Sequence, residues 1–114
     1  MGEKSVLASG DSEGAGGEMA KGYWIAFYRT IKNEGALAEY AKLAGPAIEA
    51  GEGKFLARGV PVKAYEAGLK ERAVVIEFES VAKAMATYES AGYQAAAKLL
   101  AGAVERDIRI VGGT

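Results

Sequence analysis

The sequence predicts an α+β domain built on one antiparallel sheet, and three observations predict it. Four short segments rich in β-branched and aromatic residues alternate with two helical regions in the order β-α-β-β-α-β. Two of the four segments are apolar on both sides of the strand. The chain has 114 residues, half of them apolar, which supplies one hydrophobic core and not two.

Residues 1–18 stand apart. They hold five glycines with serines and acids, and their apolar content is the isolated pair Val6-Leu7. A disordered extension or a leftover of expression cloning is expected there, with the domain running over 19–114. The first strand follows at Tyr23-Trp24-Ile25-Ala26-Phe27-Tyr28, which is too uniformly apolar to have one wet face. Asn33 is a plausible N-cap for the first helix, whose residues Leu37, Tyr40, Ala41, Ala44 and Ile48 fall on one side. Gly45-Pro46 predicts a kink or break in it, because proline removes a backbone donor and restricts its predecessor; the last turn ends near Gly51.

Residues 53–58 read as a second strand, closed by Gly59-Val60-Pro61. Residues 62–67 either continue it after a bulge or form a separate edge piece. After a turn over 68–71, Ala73-Val74-Val75-Ile76-Glu77-Phe78 is the clearest strand in the chain. Ser80 can cap a second helix with Val81, Ala84, Met85 and Tyr88 as its buried stripe. Ser90 can cap a further helical piece through Tyr93, Ala96, Ala97 and Leu100, closed by Gly102. Residues 104–111 form the last strand, with Val104, Ile108 and Ile110 opposed to Glu105, Asp107 and Arg109.

This order has a natural solution, the ferredoxin-like sheet with its helices on a single face. Tyr23, Ile25 and Phe27 would then oppose Trp24, Ala26 and Tyr28, and Ala73 and Val75 would oppose Val74, Ile76 and Phe78. Helices cover one side, so a second copy of the chain is expected to cover the other, and a homodimer follows.

Composition removes several functions. Fourteen basic and fifteen acidic residues leave a net charge of −1, so no positive field draws the chain to nucleic acid or anionic lipid. Without cysteine there are no disulfides, thiolate nucleophiles or sulfur-ligated metals, and without histidine the usual metal ligand and neutral-pH base are missing. No metal and no cofactor are therefore expected. No apolar run reaches the roughly 20 residues of a membrane span, nor does the start resemble a signal peptide, so a cytoplasmic protein without a membrane partner is expected. The glycines form no phosphate cradle, since Gly14-Ala15-Gly16-Gly17 leads into no lysine-bearing helix start.

Four stretches carry a resemblance: Tyr23-Trp24-Ile25-Ala26, Phe55-Leu56-Ala57-Arg58-Gly59, Val74-Val75-Ile76-Glu77-Phe78 and Tyr88-Glu89-Ser90-Ala91-Gly92-Tyr93-Gln94. In this order and spacing they resemble the uncharacterised domain family DUF1330 of the dimeric α+β-barrel superfamily, from Met19 to about Gly112. Thr87 and Gly92 depart from that pattern, which commonly has an aromatic residue and an acid there. The resemblance implies two ferredoxin-like sheets paired into a dimeric barrel, and it supplies no activity.

Six residues are candidates for a site. Glu77 is a carboxylate in an apolar strand; poor solvation would raise its pKa and suit it to acid or base work. Its plainer reading is an ion pair with Arg58, Arg72 or Arg109. Arg58 and Arg109 could each grip a ligand carboxylate through two parallel hydrogen bonds, or pair with Asp107, Glu66 or Glu105. Tyr88, Tyr93 and Gln94 flank an irregular helical connection, where polar tips beside an apolar wall would orient a small ligand, or simply fill the core.

Two functions compete on these grounds. One is a binder of a small carboxylate or aromatic molecule, or a cofactor-free enzyme, with a pocket between sheet and helices lined by Glu77, Arg58, Arg109, Tyr88 and Tyr93. Related barrels that oxidise aromatic substrates without cofactors make the enzyme conceivable by analogy of fold alone. The other is a non-catalytic homodimeric assembly or regulatory module.

Overall fold

The computed structural model describes residues 20–114; the leading segment 1–18 lies outside the described residues. Seven elements follow in order: β1 (Gly22–Ile31), α1 (Glu34–Ala50), β2 (Lys54–Gly59), β3 (Ala73–Phe78), α2 (Val81–Glu89), α3 (Ala91–Lys98) and β4 (Val104–Gly112). The strands form one four-stranded sheet in the order β2-β3-β1-β4, every neighbour antiparallel. This is the ferredoxin-like arrangement expected from the sequence.

Alternation along β1 and β3 decides which side is covered. Trp24, Ala26 and Tyr28 of β1 and Val74, Ile76 and Phe78 of β3 are buried beneath the helices, which contribute Tyr40, Ala44, Ile48, Ala84, Tyr93 and Ala96, with Leu100 added from the turn after α3. Burying one large apolar side chain of this kind stabilises the fold by roughly 1.5–3 kcal/mol. Trp24 sits at the centre, with Tyr93 edge-on at 4.8 Å and Phe78 stacked at 6.0 Å between ring centroids.

Each helix starts where its cap allows. Asn33 Oδ1 accepts from Ala36 N at 3.0 Å, Ser80 Oγ from Lys83 N at 3.0 Å, and Ser90 Oγ from Tyr93 N at 3.2 Å. The break expected at Gly45-Pro46 does not occur, because α1 runs unbroken through Pro46. Pro46 is exposed and so is Lys42 one turn earlier, so the carbonyl that loses its partner faces water, and Gly45 offers no Cβ to clash with the proline ring.

Three further expectations are corrected. Residues 60–72 form a loop rather than a strand: Val62 is 94% exposed, and Gly68 N donates to Tyr65 O at 2.9 Å across a turn. Pro61 has no N–H with which to extend the pairing. In α2 the buried residues are Ala84 and Thr87, whereas Met85 is largely exposed. Thr87 fills the space over Gly51, where a side chain could not fit. Finally, α3 ends at Lys98, and Gly102 (φ +72°) serves the turn into β4. No helix among the described residues is long and apolar enough to cross a membrane.

Candidate functional site

Register places three cross-strand rows on the helix-covered face. Phe55, Ile76, Trp24 and Ile110 make the first, and Arg58, Val74, Ala26 and Ile108 the second. A bulge between Phe55 and Ala57 brings Arg58 onto this face after Phe55, out of strict alternation. In the third row Tyr28 stands opposite Arg106, and on its other side Tyr28 N donates to Arg72 O at 2.9 Å. The sheet thus changes along its length from apolar rows to a row of two arginines flanking a tyrosine.

Between that end of the sheet and α1 lies a cleft of about 70 Å³. Its apolar walls include Trp24, Leu37, Ile48 and Phe55, and its polar lining is Tyr28, Tyr40, Arg58, Arg72 and Arg106. No acidic residue among those described lines it. Among the described residues the ion pairs are Arg29 and Arg109 with Asp107, Lys42 with Glu39, and Lys83 with Glu52, so the three cleft arginines pair with no carboxylate. Arg58 instead lies over the Phe55 ring, 4.3 Å from its centroid. Arg72 Nε is buried and has no hydrogen-bond partner among the described residues.

Arg106 is held by phenols. Its Nη1 donates to Tyr28 Oη at 3.1 Å and to Tyr40 Oη at 3.2 Å, and its Nη2 donates to Tyr93 Oη at 2.9 Å. Tyr40 and Tyr93 share a further hydrogen bond of 2.6 Å. The guanidinium also lies over the Tyr40 and Tyr28 rings, at 5.0 and 5.5 Å. Burial pushes the Tyr28 phenol above its ordinary pKa despite the nearby charge of Arg106. Burial, then the neighbouring Tyr40, push Tyr93 far above it. Burial would weaken Arg106's hold on its proton, but the tyrosine oxygens more than offset this and raise its pKa. The cluster therefore presents neutral hydroxyl donors and a permanent cation.

The candidate residues read from the sequence do not all meet here. Arg58 lines the cleft, and Tyr93 stands one layer behind it, bonded to Tyr40 and Arg106. Glu77 and Arg109 lie on the opposite face of the sheet from Arg58, and neither lines this cleft. Glu77 takes a hydrogen bond from Tyr23 Oη at 3.1 Å rather than an ion pair from an arginine, and this bond raises the Tyr23 pKa. Arg109 Nε donates to Asp107 at 3.0 Å, the plainer of its two readings. Tyr88 packs its ring on Trp24 and Tyr93 without lining the cleft. Gln94 Nε2 donates to the Tyr88 carbonyl at 2.6 Å and so ties α3 back to α2.

Arg106 is the residue that sequence reading missed. The signal was available, because the alternation that sends Val104 and Ile108 inward sends Arg106 inward between them. Among the described residues no group of three or more acidic, histidine or cysteine side chains is placed to hold a metal.

Fold and cleft together define a small ferredoxin-like α+β protein with a cation-lined cleft under α1. Residues 21–114 match the domain of unknown function DUF1330, and the chain belongs to that family. Its fold is similar to that of a protein of unknown function from Rhodopseudomonas palustris, at 17% identity over 84% of each chain with a TM-score of 0.67. A hydroxynitrile lyase from Passiflora edulis is similar over 86% of this chain and 95% of its own, at 13% identity and a TM-score of 0.57. A candidate antibiotic biosynthesis monooxygenase from Caulobacter crescentus is similar over 85% and 92%, at 12% identity and a TM-score of 0.56. At these identities the likeness is one of fold. No protein with a curated description matches the chain in sequence.

Proposed function

We propose that the protein binds a small carboxylate in the cleft beneath α1. The carrying observation is the lining: among the described residues Arg58, Arg72 and Arg106 share one apolar cleft with no acid, and Arg72 Nε is buried there without a partner. A buried donor without an acceptor costs about 1–3 kcal/mol, and a bound anion removes that cost. Guanidinium groups match the planar carboxylate, while Trp24, Leu37 and Phe55 suit a short hydrocarbon body. The space holds roughly five water-sized groups, which limits the ligand to a few carbons. A cofactor-free enzyme is one form this function could take, and the Passiflora edulis lyase illustrates that the fold can serve small-molecule chemistry.

Calorimetry with propionate and propionamide tests the proposal. Propionate is expected to bind at least tenfold more tightly, and Arg72→Gln is expected to abolish most of that preference. Equal or absent binding of the two would refute it.

We also infer that the chain forms a homodimer through the sheet face turned away from the helices. Ile25, Phe27, Val75 and Val111 give that face apolar surface, with Phe27 42% exposed. Polar pairs are interspersed with them: Tyr23, bonded to Glu77, shares the row of Val111, Asp107 shares that of Phe27, and Arg109 stands opposite Ile25 and holds Asp107 together with Arg29. Exposed apolar side chains whose polar neighbours are already paired with one another suit an interface between two copies.

A further inference from the structure

A proton count around Arg106 fixes the direction of the phenol hydrogen bonds. Arginine nitrogens accept nothing. Tyr93 is fully buried, and its hydroxyl has two polar neighbours among the described residues, Arg106 and Tyr40 Oη. Its proton therefore goes to Tyr40, because the reverse direction would bury a phenol proton with no acceptor. Tyr40 Oη then has both lone pairs occupied, by Arg106 and by Tyr93, and its own proton has no acceptor among the described residues. Tyr28 is in the same position, accepting from Arg106 and donating to none of them. Tyr28 and Tyr40 line the cleft, whereas Tyr93 does not. Two spare O–H donors thus hang on one guanidinium nitrogen, 3.1 and 3.2 Å from it, at the cleft surface.

Such a pair calls for an oxygen with two lone pairs and no proton of its own. A ligand hydroxyl would bring a proton that finds only donors around it, and an apolar group would leave both phenols unsatisfied. A carbonyl oxygen fits both. We propose that Tyr28 and Tyr40 form a carbonyl-binding subsite, so that the ligands this cleft prefers are small 2-oxo acids. The carboxylate lies toward Arg58 and Arg72 and the keto oxygen accepts from Tyr28 and Tyr40. The inference rests on the carboxylate-binding function proposed above and adds the second anchoring point. The same two donors, backed by the fixed charge of Arg106, would also stabilise negative charge developing on that oxygen.

Calorimetry at neutral pH on the full chain tests it, with pyruvate, propionate, lactate and malonate as probes. Pyruvate is expected to bind about tenfold more tightly than propionate, the gain of two ordinary hydrogen bonds, and lactate no better than propionate. Tyr28→Phe and Tyr40→Phe are each expected to reduce the pyruvate-over-propionate affinity ratio, measured on the same variant, from about tenfold to near one. The comparison of the four probes on the unaltered protein needs neither variant to fold. If propionate binds and pyruvate binds no better, the subsite is refuted while the carboxylate site stands. Tighter binding of malonate than of pyruvate would assign the subsite to a second carboxylate and overturn the inference. If none of the four binds, both proposals fall.

Discussion

A charged side chain that a strand sends inward must find partners or destabilise the sheet, and Arg106 finds phenol oxygens where a carboxylate would be the usual choice. Removing it leaves three hydroxyls without their common donor and empties the space over two aromatic rings. Arg106→Leu is expected to lower unfolding free energy by about 2–3 kcal/mol in urea denaturation, with Arg106→Lys recovering only part of it, since an ammonium cannot span three acceptors in one plane. A loss within experimental error for the leucine variant would show that the phenols hold themselves. On the other face, burial alone would raise the Asp107 pKa, but hydrogen bonds and charge from Arg109 and Arg29 outweigh it and hold the carboxyl below its ordinary 3.8. A carboxyl with a lowered folded pKa stabilises the fold above its unfolded value, and that contribution disappears as pH falls through the folded value. Carbon NMR of the side chain is expected to give a midpoint below 3.8, moving up in Arg109→Gln; a midpoint at or above 3.8 in the native protein contradicts the pairing.

The elements show what local sequence can and cannot say. Asn33, Ser80 and Ser90 are legible as caps because a capping side chain and the amide it serves are three residues apart. Residues 60–72 carry valine and tyrosine at strand-like spacing, yet no partner strand lies beside them, and pairing is a property of distant chain that composition does not record. Pro46 misleads for a related reason: its penalty depends on whether the orphaned carbonyl faces solvent, which is decided by how α1 rests on the sheet. Pro46→Ala restores an exposed helical hydrogen bond and is expected to raise stability by about 1 kcal/mol or more, read as an increase in the urea midpoint at unchanged slope. At the start of β1 the opposite holds. A Cβ on Gly22 would come within 2.5 Å of the Ser80 carbonyl oxygen, so Gly22→Ala must push β1 away from the cap of α2. Its expected cost is about 1–3 kcal/mol, and a neutral result would mean that the two segments have room to separate.

At the scale of the molecule, alternation in β1 and β3 announces two apolar sheet faces, and the order of elements announces helices on one of them. What the sequence leaves open is which set of side chains the helices cover, and so Glu77 and Arg109 could be grouped with Arg58 although a whole sheet separates them. The bulge at Phe55/Ala57 compounds this, since it resets the alternation that would otherwise assign Arg58. The uncovered face makes its own prediction. Phe27→Asp is expected to shift the protein from dimer to monomer in sedimentation velocity at tens of micromolar while the propionate site, on the far side of the sheet, keeps its affinity; a native protein that sediments as a monomer would dismiss the dimer. The strand order also has a kinetic meaning. β1, the first strand of the described residues, is central, and its neighbour β4 pairs Gly22 with Gly112 across nearly the whole described chain. That pairing has the largest sequence separation in the described sheet, so closure of β1 by β4 is expected to be the slow, long-range event of refolding, with β4 amides gaining protection from hydrogen exchange last.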